Sequence, residues 1–338
     1  MTVSQAVMLV SLSAMLTWGI VYSIRLLSRR LGLIQHPNER SSHVAPTPHG
    51  GGLGIVLVST AYGLWLMNHN ANISADVGIV VFLSSVLAVV GLLDDKFHLS
   101  AIVRLIVQFL LCAGLLFCFK ESGLSLMVAF VLIVCLVTGV WWINLFNFMD
   151  GIDGIASSQA IFMLIASLIT IQFYHPDVIS VAGYWAWALI LAASCLGFLR
   201  HNWPPAKIFM GDIGSTYLAF MIFAFAIVSI TNDLLTPTFW LIIACLFVTD
   251  ATVTLSRRLL RGEAWYQPHR KHLYQRLSRC LNSHGKVTVR FLLVNVVVMF
   301  PLAFLSLLLP AMSIVILLIT YVVTAAAMIK MGAGATDD

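Results

Sequence analysis

The chain is 338 residues long, 60% hydrophobic and only 10% charged, with a mean hydropathy of +0.96. A soluble domain keeps roughly a quarter of its residues charged, so a soluble globular enzyme is excluded. Disorder, which needs low hydrophobicity and high net charge, is excluded with it. The formal net charge of +5 would suit a polyanion, but in a bilayer the placement of cations matters more than their sum, and no nucleic-acid partner is expected.

A helix crossing the hydrocarbon needs about 20 mostly apolar residues. Eleven runs meet that need in chain order: 6–24, 51–67, 77–93, 101–118, 125–143, 155–173, 179–198, 213–231, 237–255, 289–309 and 312–330. A spanning β-barrel would instead show short alternating segments. The expected fold is therefore an all-α polytopic bundle of about 10–11 transmembrane helices, a single domain over 1–338. The first run has no basic stretch before it and many spans after it, so it reads as retained rather than cleaved. Cys112, Cys118, Cys135, Cys195, Cys245 and Cys280 sit mostly in apolar runs without a CxxC pair and read as small buried hydrophobes. His98 and His175 read as solvated helix ends, and Trp141 and Trp142 as an interfacial aromatic belt.

Lys and Arg set the orientation. With the N-terminus periplasmic, every basic residue but Lys120 falls on the cytoplasmic side, including Arg25, Arg29, Arg30 and Arg40 and the long 256–288 segment. The expectation is a multi-pass protein of the bacterial inner membrane, its C-terminus cytoplasmic and its working surface on that side.

Fourteen acids is few, so their positions carry information. Asp94 and Asp95 end the third run in GLLDDKFHLS, Asp150 and Asp153 follow the fifth in NLFNFMDGIDGIA, and Asp212 opens the eighth in FMGDIGS. All five lie at cytoplasmic ends of apolar helices, where markers of the boundary are normally Lys or Arg. A spacing of three puts Asp150 and Asp153 on one face of a helical turn. Asp212 stands at an N-cap position, and free N–H groups at a helix start form a ready phosphate site. Carboxylates clustered without His or Cys suit a hard, oxygen-seeking cation, Mg²⁺ with Mn²⁺ as a substitute. Arg257, Arg258, Arg261, Arg270, Lys271, Arg276 and Arg279 crowd one inner loop with His269 and His272, a set suited to phosphate. Asp250 either joins this site or caps a helix, and Arg104 either pairs with Asp94 or Asp95 or snorkels to the surface.

Together LLDDKFHLS, NLFNFMDGIDGIA, FMGDIGS and HRKHLYQRL resemble the polyprenyl-phosphate N-acetylhexosamine-1-phosphate transferases of bacteria, in that family's order. PNERSSHVAPTPHGGG (Pro37–Gly52) resembles the first cytoplasmic loop of its O-antigen-initiating branch. The resemblance implies transfer of a sugar 1-phosphate from a UDP-N-acetylhexosamine to undecaprenyl phosphate, with release of UMP and a need for Mg²⁺. It starts a lipid-linked surface polysaccharide of the O-antigen kind. Carried over by motif, Asp212 would be the principal metal ligand with Asp94 beside it. Asp94 would also be the acid–base or nucleophile-positioning group, next to Asp95. Asn144, Asn147, Asp150 and Asp153 would belong to the nucleotide and diphosphate pocket, and Phe209 would stack on uracil. His269, Arg270 and His272 would lie near the diphosphate or sugar. Arg40 and His43 stand where related enzymes carry a lysine. Arg270 and Lys271 separate the two histidines where peptidoglycan-initiating members have an unbroken run, which argues against a muramoyl-pentapeptide substrate. A homodimer is compatible with this reading. The rival reading is a secondary transporter using intramembrane aspartates, which would place acids near mid-span in two matching halves.

Overall fold

The computed structural model describes residues 3–35, 46–69, 74–118, 125–177, 183–263 and 269–335. Its elements are α1 (Val3–Leu31), α2 (Gly52–His69), α3 (Ser74–Phe97), α4 (Ala101–Cys118), α5 (Leu126–Phe148), α6 (Ile155–Tyr174) and α7 (Gly183–Asn202). Beyond these come α8 (Asp212–Thr231), α9 (Pro237–Leu260), α10 (Leu273–Leu281), α11 (His284–Val294), α12 (Phe300–Leu308) and α13 (Ser313–Lys330). A π-helical turn, Asn295–Met299, joins α11 to α12 just before Pro301, whose missing N–H and bulky ring disturb the hydrogen-bond ladder of the preceding turn. The one sheet among the described residues is a two-residue antiparallel pairing, Ile34 with Pro48 and Gln35 with Thr47.

Among the described residues, ten helical stretches are long and apolar enough to cross a bilayer. The second expected span is present as α2, but its 18 residues end in Asn68 and His69, and it falls outside that set. Local chemistry explains several starts. Ser125 accepts the Val128 N–H at 3.2 Å to cap α5, and Thr236, followed by Pro237, caps α9 through the Phe239 N–H at 3.3 Å.

The bundle is organised around α8, which is buried at every position from Ile213 to Ser229. It is enclosed by α2, α3 and α5, while α1 packs on α7 and α9 on α13. Close approach is built from small residues: a Cβ on Gly52 would lie 2.3 Å from the Gly214 Cα, so α2 reaches α8 only because both positions are glycine. The tryptophan pair does not form an interfacial belt. Trp142 donates its indole N–H to the Ala219 carbonyl at 2.9 Å, and Trp141 donates to the Thr252 hydroxyl at 3.2 Å. In a low-dielectric bundle an indole N–H needs a partner, and these two bind α5 to α8 and α9. All six cysteines are free.

Successive long helices alternate in direction. The ends of α3, α5, α7, α9 and α13 and the starts of α2, α4, α6, α8 and α11 therefore gather at one end of the bundle, together with α10. That end carries the site.

Candidate functional site

The acidic half is built where α3, α5 and α8 meet. Asp95 reaches from α3 to the start of α8, its Oδ1 accepting the Asp212 N–H at 2.9 Å and its Oδ2 the Ile213 N–H at 3.2 Å. Gly211 precedes them at φ +78°, and a Cβ there would sit 2.6 Å from Asp95 Oδ2. The N–H groups expected to be free for phosphate are thus occupied by a carboxylate, and Asp95 acts as a cap supplied from another helix. His49 stands behind it, Nδ1 3.9 Å from Asp95 Oδ1. Burial, and then the nearby His98, hold the His49 ring below the ordinary histidine range.

Asp94, its neighbour, is buried and faces the other way. Its Oδ2 accepts from Arg104 Nη1 at 2.6 Å, and the same nitrogen lies 3.3 Å from Asp212 Oδ2. One guanidinium from the first turn of α4 therefore bridges two carboxylates, settling the choice for Arg104 in favour of Asp94. Asn147, in the last turn of α5, donates to Asp212 Oδ1 and to the Ser215 hydroxyl, both at 2.9 Å. Three helix ends converge on Asp212.

Asp150 and Asp153 do not share a helical face. The stretch between α5 and α6 is a turn, with Gly154 at φ +76°, and turns lack the helical period on which that expectation rested. Asp150 belongs to the cluster: burial first, then the charges of Asp212, Asp95 and Asp153, push its carboxyl well above the ordinary range. The Asp153 carboxylate instead accepts the Ala206 N–H at 3.0 Å and pairs with His284 Nδ1 at 3.1 Å. It anchors the turn to the 203–207 loop and to α11. Asn144, one turn back from Asn147 on α5, is bonded to Gln108 of α4 at 2.6 Å and to the Val140 carbonyl at 2.8 Å. Phe209 is half-buried in the loop before α8. Its N–H donates to the Pro48 carbonyl at 2.8 Å and its carbonyl accepts the Gly51 N–H at 2.9 Å. These bonds bring the end of the first loop beside Asp95. Arg40 and His43 lie outside the described residues.

The basic half differs from expectation. The His269 and His272 rings stack with centroids 4.7 Å apart. Burial, then His272, Arg258 and Lys271, push His269 down to about 3, so it is neutral at physiological pH. Most of the cations hold the loop together. Lys271 Nζ lies 2.9 Å from both Glu263 carboxylate oxygens, and Arg258 Nε is 3.4 Å from one of them. Arg279 donates to the Arg270 carbonyl at 2.9 Å. Arg257 donates to the Ala333 carbonyl and Arg261 to the Gly334 carbonyl at 2.7 Å, while the Gly334 N–H returns to the Lys271 carbonyl at 2.8 Å. Residues 333 and 334 are thereby stitched to the last turn of α9 and to Lys271, one of the two residues between the histidines. Asp250, fully buried in α9, accepts the Leu273 and Tyr274 N–H groups at 2.8 and 3.0 Å and so caps α10. Tyr274 donates its hydroxyl to the Phe148 carbonyl at 2.8 Å, which sets α10 against the turn holding Asp150.

Glu263, Tyr274, His284 and His49 were not singled out from sequence. Glu263, the one acid within a dense run of cations, was the available signal; the other three carry none.

Among the described residues no three His, Cys, Asp or Glu side chains form a metal site by themselves. Mg²⁺ does not need that, because it binds through one or two carboxylates together with water and substrate phosphates. The Oδ2 atoms of Asp94 and Asp212 are hard oxygen donors, and both are turned to the Arg104 guanidinium that bridges them. Asp95 and Asp150 lie close enough to Asp212 to interact with it electrostatically, so several carboxyl groups share this region. This donor set fits such an ion.

Residues 77–230 match the family described as glycosyl transferase family 4, a stretch that includes all five aspartates and stops short of the histidine loop. The chain is 30% identical to the decaprenyl-phosphate N-acetylglucosaminephosphotransferase of Mycobacterium tuberculosis (strain ATCC 25618 / H37Rv), covering 82% of this chain and 76% of that one. It is 27% identical to a probable undecaprenyl-phosphate N-acetylglucosaminyl 1-phosphate transferase of Bacillus subtilis (strain 168), over 77% of this chain and 74% of the relative. With the undecaprenyl-phosphate alpha-N-acetylglucosaminyl 1-phosphate transferase of Escherichia coli (strain K12) it shares 25% identity over 77% of this chain and 72% of the relative.

Proposed function

The chain belongs to glycosyl transferase family 4, among the polyprenyl-phosphate N-acetylhexosamine-1-phosphate transferases, and on that premise we propose that it moves an N-acetylhexosamine 1-phosphate from a UDP-sugar to undecaprenyl phosphate. UMP is the second product, and the lipid-linked sugar starts a surface polysaccharide of the O-antigen kind. One observation supports this most directly: Asp94, Arg104, Asn147 and Asp212 come together at the ends of four helices of a membrane bundle. Helix ends of a membrane bundle lie at the level where a lipid acceptor and a water-borne donor can meet. Ion-coupled transport would call for acids near mid-span, and these lie at helix ends.

The difficulty of the reaction is charge, since a phosphate anion must approach a diphosphate. A phosphate monoester loses its second proton near pH 6, so the acceptor is already mostly dianionic at neutral pH and needs no strong base. Its oxygen attacks the sugar-bearing phosphorus in line. The bond from that phosphorus to the bridging oxygen breaks, and the electron pair leaves with UMP. Arg104 holds Asp94 and Asp212 in register, Asn147 fixes the Asp212 carboxylate, and Asp95 fixes its backbone. His269, neutral and half-buried, and His272 line the opposite side. Mg²⁺, held by Asp212 and Asp94, would stabilise the negative charge that accumulates on the departing phosphate. The site faces the cytoplasm from the bacterial inner membrane, the side on which the cations concentrate.

The test is incubation of purified protein with undecaprenyl phosphate, Mg²⁺ and a panel of UDP-N-acetylhexosamines. UMP is expected from at least one donor, with EDTA abolishing the reaction and Mn²⁺ restoring part of it. Absence of UMP from every donor would overturn the assignment.

A further inference from the structure

A carboxylate inside a membrane helix is costly unless its environment offsets the lost hydration, and Asp250 is 0% exposed. Capping α10 engages both of its oxygens, and the Thr254 hydroxyl adds a contact at 3.3 Å. Capping leaves one feature unexplained. His272, the residue immediately before α10, turns its Nδ1 to within 3.6 Å of Asp250 Oδ1. That nitrogen is buried and has no hydrogen-bond partner among the described residues. A buried ring nitrogen without a partner is costly, and the Asp250 carboxylate is the acceptor beside it. A proton on Nδ1 pointing at Asp250 removes the cost and leaves Nε2 as the working atom of the ring. This is how a carboxylate fixes the tautomer and orientation of a histidine in metal sites and in triads.

We propose that Asp250 is a positioning residue for sugar-phosphate transfer: from within α9 it holds the proton of His272 on Nδ1 and presents Nε2 to the bound diphosphate sugar. The inference rests on the transferase reading above for the role of His272, and on geometry alone for the position of the proton. The stack of His269 on His272 and the tie from Tyr274 to Phe148 keep the oriented ring next to the acidic half.

Two measurements test it. In the wild-type protein labelled with ¹⁵N-histidine, the His272 resonance, assigned by its loss in His272→Gln, is expected to show a proton on Nδ1. A bare Nδ1 overturns the proposal, and this measurement needs no variant at position 250 to fold. In UMP release, Asp250→Asn, which keeps an oxygen for the cap, is expected to lower kcat by about ten- to a hundredfold. Asp250→Glu should recover part of the loss. In a His272→Gln background the same substitution should add little further loss, because the two residues act as one unit. Equal losses in both backgrounds, or no loss at all, would reduce Asp250 to a helix cap and overturn the proposal. A wild-type protein that releases no UMP from any donor would overturn the transferase reading instead, leaving the proton measurement to stand by itself.

Discussion

The two halves of the site use charge in opposite ways. In the acidic half, among the described residues, the five aspartates share one Lys or Arg partner: Arg104 serves Asp94 and Asp212 together, while Asp95 and Asp153 lie beside His49 and His284. In the basic half many of the cations are engaged within the protein, Arg258 and Lys271 by Glu263 and Arg257 and Arg261 by the carbonyls of residues 333 and 334. One half is left wanting a cation, and the other is a folded strap whose histidines are its chemical edge. An abundance of like charges in a sequence therefore says little about which of them face a ligand.

The contrast can be broken at its strongest point first. Asp212→Asn is expected to cut kcat by on the order of 10²–10³ with little change in Tm, because Asn147 and the helix cap remain; near-normal UMP release would remove Asp212 from the centre of the acidic half. Arg104→Ala should cost about ten- to a hundredfold, the worth of hydrogen bonds to charged groups. Arg104→Lys should recover only part of that loss, since an ammonium lacks the planar fork. Asp95→Ala should act mainly on stability, by about 1–2 kcal/mol for a lost cap. A fall in Tm larger than the fall in activity per folded molecule would separate it from Asp94.

The smallest effect lies in the strap. The Lys271 hydrogen bond first, and then the charges of Lys271, Arg258 and Arg261, hold Glu263 below its usual 4.5. A depressed carboxylate stabilises the fold above its unfolded pKa, and that contribution is lost as pH falls through the lower folded value. Hydrogen exchange of amides 269–281 should therefore quicken below about pH 4.5, and Glu263→Gln should show the quick exchange already at neutral pH. His269 works in the same direction. Its ring resists protonation, so acidification from 6.5 towards about 3 loosens the strap, and His269→Gln should blunt that part of the response.

Much of this was legible in the sequence. Continuous apolar runs gave the helices, because a bilayer leaves a chain few alternatives. Acids at helix ends marked Asp94, Asp150 and Asp212, because charge at that depth is costly enough to need a reason. What could not be read were relations across the fold. Nothing local distinguishes Asp95, which caps α8, from Asp94, which meets Arg104, since adjacent residues diverge only once a helix has neighbours. The spacing of Asp150 and Asp153 misled because the glycines beside them end the helix, and period arguments stop where a helix stops. The tryptophans of α5 misled because a belt and a buried cross-link need the same residue type. Asp250 stayed open because a cap supplied from a distant helix has no signature of its own.

The stitching of residues 333 and 334 to Arg257, Arg261 and Lys271 has a consequence in time. Aspartates 94, 150 and 212 emerge from the ribosome well before the segment that fastens the strap does. The acidic half can assemble while the chain is still being made, but the histidines gain this support only after the final helix has entered the membrane. In order of synthesis the acidic half is therefore complete before the strap is fastened, although Tyr274 already ties α10 to the turn after α5.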